Sequence, residues 1–361
     1  MDRTETAALL ARLDAVRGLS GREEAVGEAI GKEMEGLFDE AGHDRLGNRL
    51  FTRRGRRGGP TVLLAAHMDE IGFLVSGIDE GGFVHFVPVG FHDERLLQNQ
   101  MLRIDTASGA VYGVTGAGDP PYEHKGEHPE TPRMGEIVLD IGARSREEAE
   151  AMGVCPGDPV LNAREGRLLG TRVFTGRAVD TRAGCAAMIG AMRLLAEAQL
   201  PATVVACASV QEELGAKGIG AVGARMKPDI ALALDVCPAV TDGRIPGGSI
   251  PHTRARIVQG GGPAVQIYDW SPGSLLGHAV SPRLYGRLLN TARRRRIPHQ
   301  AEVTLDCETD AAVLAPAGVL AGGISIPCRY LHSAAGTVDI GDVYYAAVLT
   351  AEFIKSLSDP L

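Results

Sequence analysis

Continuous apolar runs that end abruptly in histidine or acidic residues constrain this sequence more than any other feature. Such runs occupy residues 61–66, 203–210 and 229–234. Runs without polar alternation are typical of strands buried on both faces. Because stretches with helical periodicity alternate with these runs, we predict a mainly parallel sheet flanked by helices, which is an α/β fold.

The helical and strand patterns divide the chain into recognisable elements. The polar residues near 48–53 and the run at 322–326 are predicted to form further strands. Ser20 and Glu23 have the spacing of a capping box ahead of a helix. The predicted helices comprise two within residues 5–40 and four at 183–199, 218–226, 281–296 and 343–357.

Residues 71–165 differ in texture from the rest of the chain. Short β-like stretches alternate there with glycine and proline, and helical pattern is scarce apart from residues 145–152. A polar, proline-rich stretch at 116–132 predicts a mobile loop. We therefore expect a discontinuous catalytic α/β domain, residues 1–70 and 166–361, interrupted by a small β-rich domain at 71–165.

Composition excludes several functional classes. A net charge of −8 and a pI of about 5.7 argue against nucleic-acid binding, and we interpret the basic run at 293–296 as a solvated helix face. The amphipathic, acidic N-terminus does not resemble a signal peptide, and no apolar run approaches membrane-spanning length. Six scattered cysteines without a CxxC pair, most of them in apolar surroundings, predict buried, reduced thiols in a cytoplasmic protein.

Polar residues that could carry chemistry follow the predicted buried strands. Ligands of open α/β sheets bind outside the carboxyl ends of the strands, so side chains at these positions are candidates for one site. The candidates are His67 and Asp69 after the first run, Asp180 at a strand-to-helix turn, Glu212 and Glu213 after the second run, Asp235 after the third, and His332 near the C-terminus.

Each of these residues also has an ordinary structural interpretation. Asp180 alone would suit a helix N-cap, the two adjacent glutamates would suit an acidic surface, and a lone histidine is more often structural. An aspartate that ends an apolar strand, however, is costly unless it is paired or metal-bound. Two histidines and several carboxylates at one sheet edge together suit a divalent cation such as zinc, cobalt or manganese.

Five segments resemble the M42 family of metallo-aminopeptidases in order and spacing. They read AHMDEIG, GRAVDTRAGC, QEELGAKGIG, ALDV and SIPCRYLHS, and the similarity runs over nearly the whole chain. The resemblance implies a zinc-peptidase-like fold and two divalent metal ions per subunit, zinc or cobalt. It also implies short peptides as substrates and a homo-oligomer built from dimers, often a hollow tetrahedral dodecamer, with residues 71–165 as the dimerisation domain.

The same resemblance implies a role for each candidate residue. His67, Asp180 and Asp235 would bind one ion, while Asp180, Glu213 and His332 would bind the other. Asp180 would thus bridge the two ions. The catalytic residues implied are Glu212 as the general base and Asp69 as the residue that orients His67.

Three departures from the family pattern stand out. Thr181 follows the bridging aspartate where the family often has a second aspartate, and we predict a cis peptide bond between Asp180 and Thr181, as in relatives. The stretch 306–310 replaces a glycine-rich segment near the substrate pocket of relatives. Residues 268–278 predict an unusually long loop that contains Trp270, the only tryptophan.

Other functions remain possible interpretations of the same residues. A glycoside hydrolase that uses Glu212 and Glu213 needs two carboxyl groups about 5–9.5 Å apart across a bond, an arrangement that neighbouring residues rarely achieve. That function also leaves the two histidines unexplained. A deacylase of small amides on the same metal site and a catalytically silent peptide-binding or assembly protein are further alternatives.

Overall fold

The computed structural model describes residues 2–117, 131–240, 256–305 and 307–358. The predicted loop at 116–132 lies largely outside these residues, as does Asp306. The helices are α1 (Arg3–Ala15), α2 (Glu24–Met34), α3 (Arg146–Ala151), α4 (Val179–Leu195), α5 (Lys217–Met226), α6 (Pro282–Arg295), α7 (Ala311–Leu314) and α8 (Ile340–Lys355).

The strands build one large mixed sheet and one small barrel. The sheet strands are β1 (Glu40–His43), β2 (Arg49–Arg53), β3 (Thr61–His67), β10 (Arg167–Leu169), β11 (Val173–Gly176), β12 (Thr203–Ser209), β13 (Ile230–Pro238), β14 (Ala264–Ser271), β15 (Leu276–Ala279), β16 (Gln300–Val303), β17 (Leu320–Arg329) and β18 (Gly336–Asp339). The barrel strands are β4 (Gly72–Ile78), β5 (Val84–Val89), β6 (Met101–Thr106), β7 (Gly109–Gly116), β8 (Val138–Asp140) and β9 (Pro159–Asn162).

The centre of the sheet is parallel, which confirms the predicted fold class. Strands β12, β3, β13 and β17 are parallel neighbours in that order, and antiparallel strands extend the sheet on both sides. Their carboxyl ends therefore lie at one edge of the sheet, where the candidate residues follow them.

Alternate side chains of β3 explain why its sequence is apolar throughout. Val62 and Leu64 belong to the core beneath α1, α4 and α8, whereas Leu63 and Ala65 belong to the core beneath α5 and α7. A strand buried on both faces has no position for a solvated side chain.

Helix α4 approaches the central sheet closely through Gly184. A Cβ at this position would lie 1.9 Å from the carbonyl oxygen of Leu234 in β13, so only glycine allows the contact. The contact holds the start of α4, which carries Asp180, against the strand that carries Asp235.

The inserted segment forms a closed barrel in the order β4-β5-β8-β7-β6-β9. Its core is separate from that of the sheet and includes Phe73, Phe86, Leu102 and Leu139. Closure pairs every strand and leaves no open edge. The barrel follows directly from His67 and Asp69, so it lies beside the edge of the sheet where the candidate residues cluster.

Three local predictions need correction. Ser20 does not cap α2: it bonds to Asp69, and the residue before α2 is Glu23, which makes no side-chain capping bond. Residues 268–278 are not a long loop, because most of them pair as the hairpin of β14 and β15. Cys155 is exposed, although all six cysteines are free thiols and four are buried.

Two other predictions agree with the structure. The basic run at 293–296 is exposed at the end of α6, as expected of a solvated helix face. No helix among the described residues combines the length and the apolar character needed to cross a bilayer.

Candidate metal centre

His67 and Asp235 meet where two parallel strands separate. The pairing of β3 with β13 runs from Val62 to Ala65 and then stops. Beyond that point His67 Nε2 lies 3.6 Å from Asp235 Oδ1, and both side chains are almost fully buried. The gap between the strands gives these two side chains a shared space at the carboxyl edge of the sheet.

Asp180 lies between the two histidines. Its Oδ1 is 3.1 Å from His67 Nε2, and its Oδ2 is 3.2 Å from His332 Nε2. The peptide bond between Asp180 and Thr181 is cis, which confirms the prediction, and both residues depart from helical backbone angles at the start of α4. One carboxylate therefore faces two separate groups of potential ligands.

Glu212 and Glu213 are presented by the turn that follows β12. Gln211 has a left-handed backbone (φ 54°), which turns the chain so that both glutamates face the cluster. Glu213 Oε2 lies 3.5 Å from His332 Nε2, and Glu212 Oε2 lies 4.0 Å from His67 Nε2. The two adjacent side chains thus reach different histidines.

Asp69 contacts both His67 and the turn that carries Glu212 and Glu213. Its buried carboxylate accepts hydrogen bonds from the backbone amides of Glu212 and Glu213, at 3.0 and 3.1 Å, and from Ser20 Oγ at 2.7 Å. His67 Nδ1 lies 3.2 Å from the Asp69 carbonyl and 3.5 Å from its carboxylate. Asp69 is therefore close enough to orient His67 and also fixes the turn that carries both glutamates.

All seven predicted residues lie together, and six of them form groups suited to a metal ion. The ligand atoms within each group lie within 4.8 Å of one another. The groups are His67–Asp180–Asp235, His67–Glu212–Glu213 and Asp180–Glu213–His332. The first and third share only Asp180.

The carboxylates of the cluster favour positive charge nearby, as the pKa values of its histidines show. Burial opposes the charged form of His67, but Asp235 and a hydrogen bond to Asp180 outweigh it and raise its pKa well above the usual value. Burial also opposes the charge on His332, yet Glu213 and Asp180 raise its pKa to about 10. Burial raises the pKa of Glu213 to about 8 and that of Glu212 well above its usual range. Bound cations would supply the positive charge that protonated histidines supply in their absence.

The donor set fits a pair of divalent cations. Imidazole nitrogens with carboxylate oxygens suit zinc or cobalt. Glu213 Oε1 is buried and has no hydrogen-bond partner among the described residues, and such an oxygen is costly unless it has a ligand. Site residues and family resemblance thus agree on a metal-binding region.

Sequence reasoning missed two buried arginines behind the site. Arg182 donates to the carbonyl oxygens of Met68 and Leu13, and Arg177 forms an ion pair with Glu70 at 3.1 Å. These bonds tie α1 and the residues after β3 to the start of α4. The sequence signal that could have revealed Arg182 was its position within the largely apolar sequence of α4.

Three further buried carboxylates near the site were also missed. Burial raises the pKa values of Asp269, Glu302 and Asp310, each to about 7. Hydroxyl groups partly satisfy two of them, since Ser325 bonds to Glu302 and Ser209 bonds to Asp310. Asp310 belongs to the stretch 306–310, which departs from the family pattern. That departure was the sequence signal that could have drawn attention to Asp310.

The sheet and the histidine–carboxylate cluster are of the kind expected of a metal-dependent hydrolase. A family model described as M42 glutamyl aminopeptidase matches residues 47–349. The chain therefore belongs to the M42 family of aminopeptidases.

Similar proteins agree with this assignment. The chain is 31% identical over 348 residues to a lysyl aminopeptidase of Pyrococcus furiosus, and the match covers 94% of each protein. An aminopeptidase from the archaeon Desulfurococcus kamchatkensis is 35% identical, with a TM-score of 0.90 over 98% of this chain and 95% of that one. The Pyrococcus horikoshii TET1 peptidase, described as assembling into a tetrahedron or a large octahedral shell, is 28% identical, with a TM-score of 0.83 over 98% and 100% of the two chains.

Proposed function

We propose that this aminopeptidase removes the N-terminal residue of short peptides with the help of two divalent ions, zinc or cobalt. His67, Asp180 and Asp235 would hold one ion, and Asp180, Glu213 and His332 the other. The observation that carries the proposal is the position of Asp180, whose two oxygens face His67 and His332 at 3.1 and 3.2 Å. A carboxylate with one oxygen toward each group is suited to bridge two cations.

Bound ions would lower the pKa of a water molecule and polarise the scissile carbonyl group. Glu212 accepts the proton of the attacking water and then delivers it to the leaving amine, as a general base and acid. Its carboxylate reaches the cluster without belonging to either group that shares Asp180. Asp69 orients His67 and, through two backbone amides, holds Glu212 in place.

Restriction to the N-terminus follows from the charge of the cluster. The free amine of a peptide is a cation or a metal ligand, and a site rich in carboxylates attracts it in either form. A peptide bond inside a chain offers no such group near the scissile carbonyl. The complete ligand set also argues against a catalytically silent protein, which has no reason to keep so many buried carboxylates together.

Metal removal is the direct test of this function. We expect a chelator to abolish hydrolysis of aminoacyl chromogenic amides, and added zinc or cobalt to restore it, because no protein side chain replaces the ions. A panel of amides with different N-terminal residues, each tested with several metals, measures reaction and preference together. Peptides blocked at the N-terminus serve as the control. Turnover that persists in metal-free protein would contradict the proposal.

We also infer that the protein is cytoplasmic and forms a homo-oligomer of dimers, of the kind that assembles into a tetrahedral dodecamer, with residues 71–165 as the dimerisation domain. The barrel exposes a row of apolar side chains, with Met101 paired to Val114 across two strands and Tyr112 nearby. Exposed apolar surface of this kind is typical of protein interfaces. Light scattering coupled to gel filtration should give a mass that is a multiple of the 38.0 kDa chain. A monomer at working concentration would contradict the inference.

A further inference from the structure

His332 contacts the barrel segment through its side chain. It lies in the segment after β17 with a left-handed backbone (φ 52°), and its side chain is 28% exposed. Its Nε2 faces Asp180 and Glu213, while its Nδ1 lies 3.1 Å from the carbonyl oxygen of Phe91. Phe91 follows β5, so a backbone group of the inserted barrel contacts a proposed metal ligand of the other domain.

The Phe91 carbonyl lies where it can accept a hydrogen bond from the form of His332 that binds a metal ion through Nε2. A histidine that binds through Nε2 carries its remaining proton on Nδ1, and that N–H needs an acceptor. The Phe91 carbonyl lies where this N–H can donate to it. Such partners fix both the tautomer and the ring orientation of ligating histidines.

Gly90, which precedes Phe91, lies in a tightly packed part of the structure. Its backbone is left-handed (φ 81°), and a Cβ there would lie 2.5 Å from Ile71 Cγ2 and 3.4 Å from Glu213 Oε2. A larger residue therefore requires either the Ile71 side chain or the segment that carries the Phe91 carbonyl to move. Gly90 satisfies two requirements at once, a backbone angle and a close approach to the site.

His92 fastens the other end of this segment to the barrel. Its Nε2 lies 2.8 Å from the Gly72 carbonyl oxygen and 3.2 Å from that of Val89. Its ring stacks on Phe73, with 4.2 Å between the ring centroids. These contacts therefore anchor the segment from Gly90 to His92 to the barrel.

We propose that Gly90 is a positioning residue, which acts through the Phe91 carbonyl to hold His332 for the second ion. This inference rests on the proposed metal centre. It makes binding of the ion at the Asp180–Glu213–His332 group depend on the position of the barrel. No described residue of the barrel makes a hydrogen bond of this kind to the His67–Asp180–Asp235 group. The barrel would then help to form the metal site in addition to its proposed role in dimerisation.

The test is Gly90→Ala, with Gly142→Ala as its matched control. Gly142 also lies in the barrel segment with φ 80°, but a Cβ there meets nothing within 4 Å. We expect the affinity of Gly90→Ala for the second ion to fall about 10- to 100-fold, as for the loss of other partners of ligating histidines, with the first ion unaffected. Calorimetric titration of zinc into metal-free protein measures both affinities, and the absorption spectrum of bound cobalt reports the changed second position.

His92→Phe is the second variant, because it keeps the ring stack and removes the donor. We expect a smaller loss at the second ion alone, and this variant decides the matter if Gly90→Ala does not fold. Native affinity for both ions in the variants, or an equal loss in Gly142→Ala, would overturn the role of Gly90. Wild-type protein that binds fewer than two ions would instead remove the proposed metal centre, and the inference with it.

Discussion

Replacement of Glu212 by glutamine should retain both metal ions and lower turnover by about 10²- to 10⁴-fold, the usual contribution of a general base. The amide has nearly the shape of the carboxylate but cannot accept the proton of water. Glu212 is absent from both groups that share Asp180, so its neutralisation leaves the proposed ligands in place. Steady-state hydrolysis of a chromogenic amide, together with metal analysis of the same sample, measures the two effects.

The adjacent residue supplies the control for this variant. Glu213→Gln makes the same chemical change in a side chain that is also nearly buried, but one that lies 3.5 Å from His332. We expect this variant to weaken binding of the second ion, and added metal should partly restore its activity. Excess metal should not restore Glu212→Gln. Near-native turnover in Glu212→Gln would remove Glu212 from the role of base.

Replacement of Asp180 by alanine should abolish tight binding of both ions. Asp180 is the only residue common to the groups that contain Asp235 and His332, and its two oxygens face the two histidines. Alanine removes a ligand from each ion. Once the ions are lost, their positive charge no longer offsets the remaining buried carboxylates. Metal analysis after dialysis against metal-free buffer measures the loss, and circular dichroism checks that the fold remains.

Asp235→Ala provides the comparison, because Asp235 belongs to one of these two groups alone. We expect it to lose one ion and keep the other. Two tightly bound ions in Asp180→Ala would contradict the bridging role. Equal losses in both variants would instead indicate that the cluster binds its ions as a single unit.

The fold class could be predicted because its signal is local. The apolar run of β3 and the run of β12 reflect burial on both faces, and each is visible without knowledge of its neighbours. The hairpin of β14 and β15 was mistaken for a loop, since its pairing depends on contacts between Tyr268 and Ala279 that leave little periodicity in the sequence. Ser20 was assigned to a helix cap, because its bond to Asp69 joins residues 49 positions apart.

The candidate residues could be found for a different reason. A charged side chain at the end of an apolar strand is costly, so Asp235 draws attention by its position alone. Their assignment to particular ions came from family resemblance, not from spacing. The supporting residues were harder to find. The Phe91 carbonyl is a backbone group and leaves no signal in the sequence, and the position of Arg182 within an apolar helix does not indicate which residues it contacts.

The dispersal of the ligands along the chain has a consequence for biosynthesis. His67 leaves the ribosome well before His332, because the two residues lie far apart in the sequence. A nascent polypeptide therefore lacks one proposed ligand until the segment after β17 has been made, and the proposed two-ion site can form only after that.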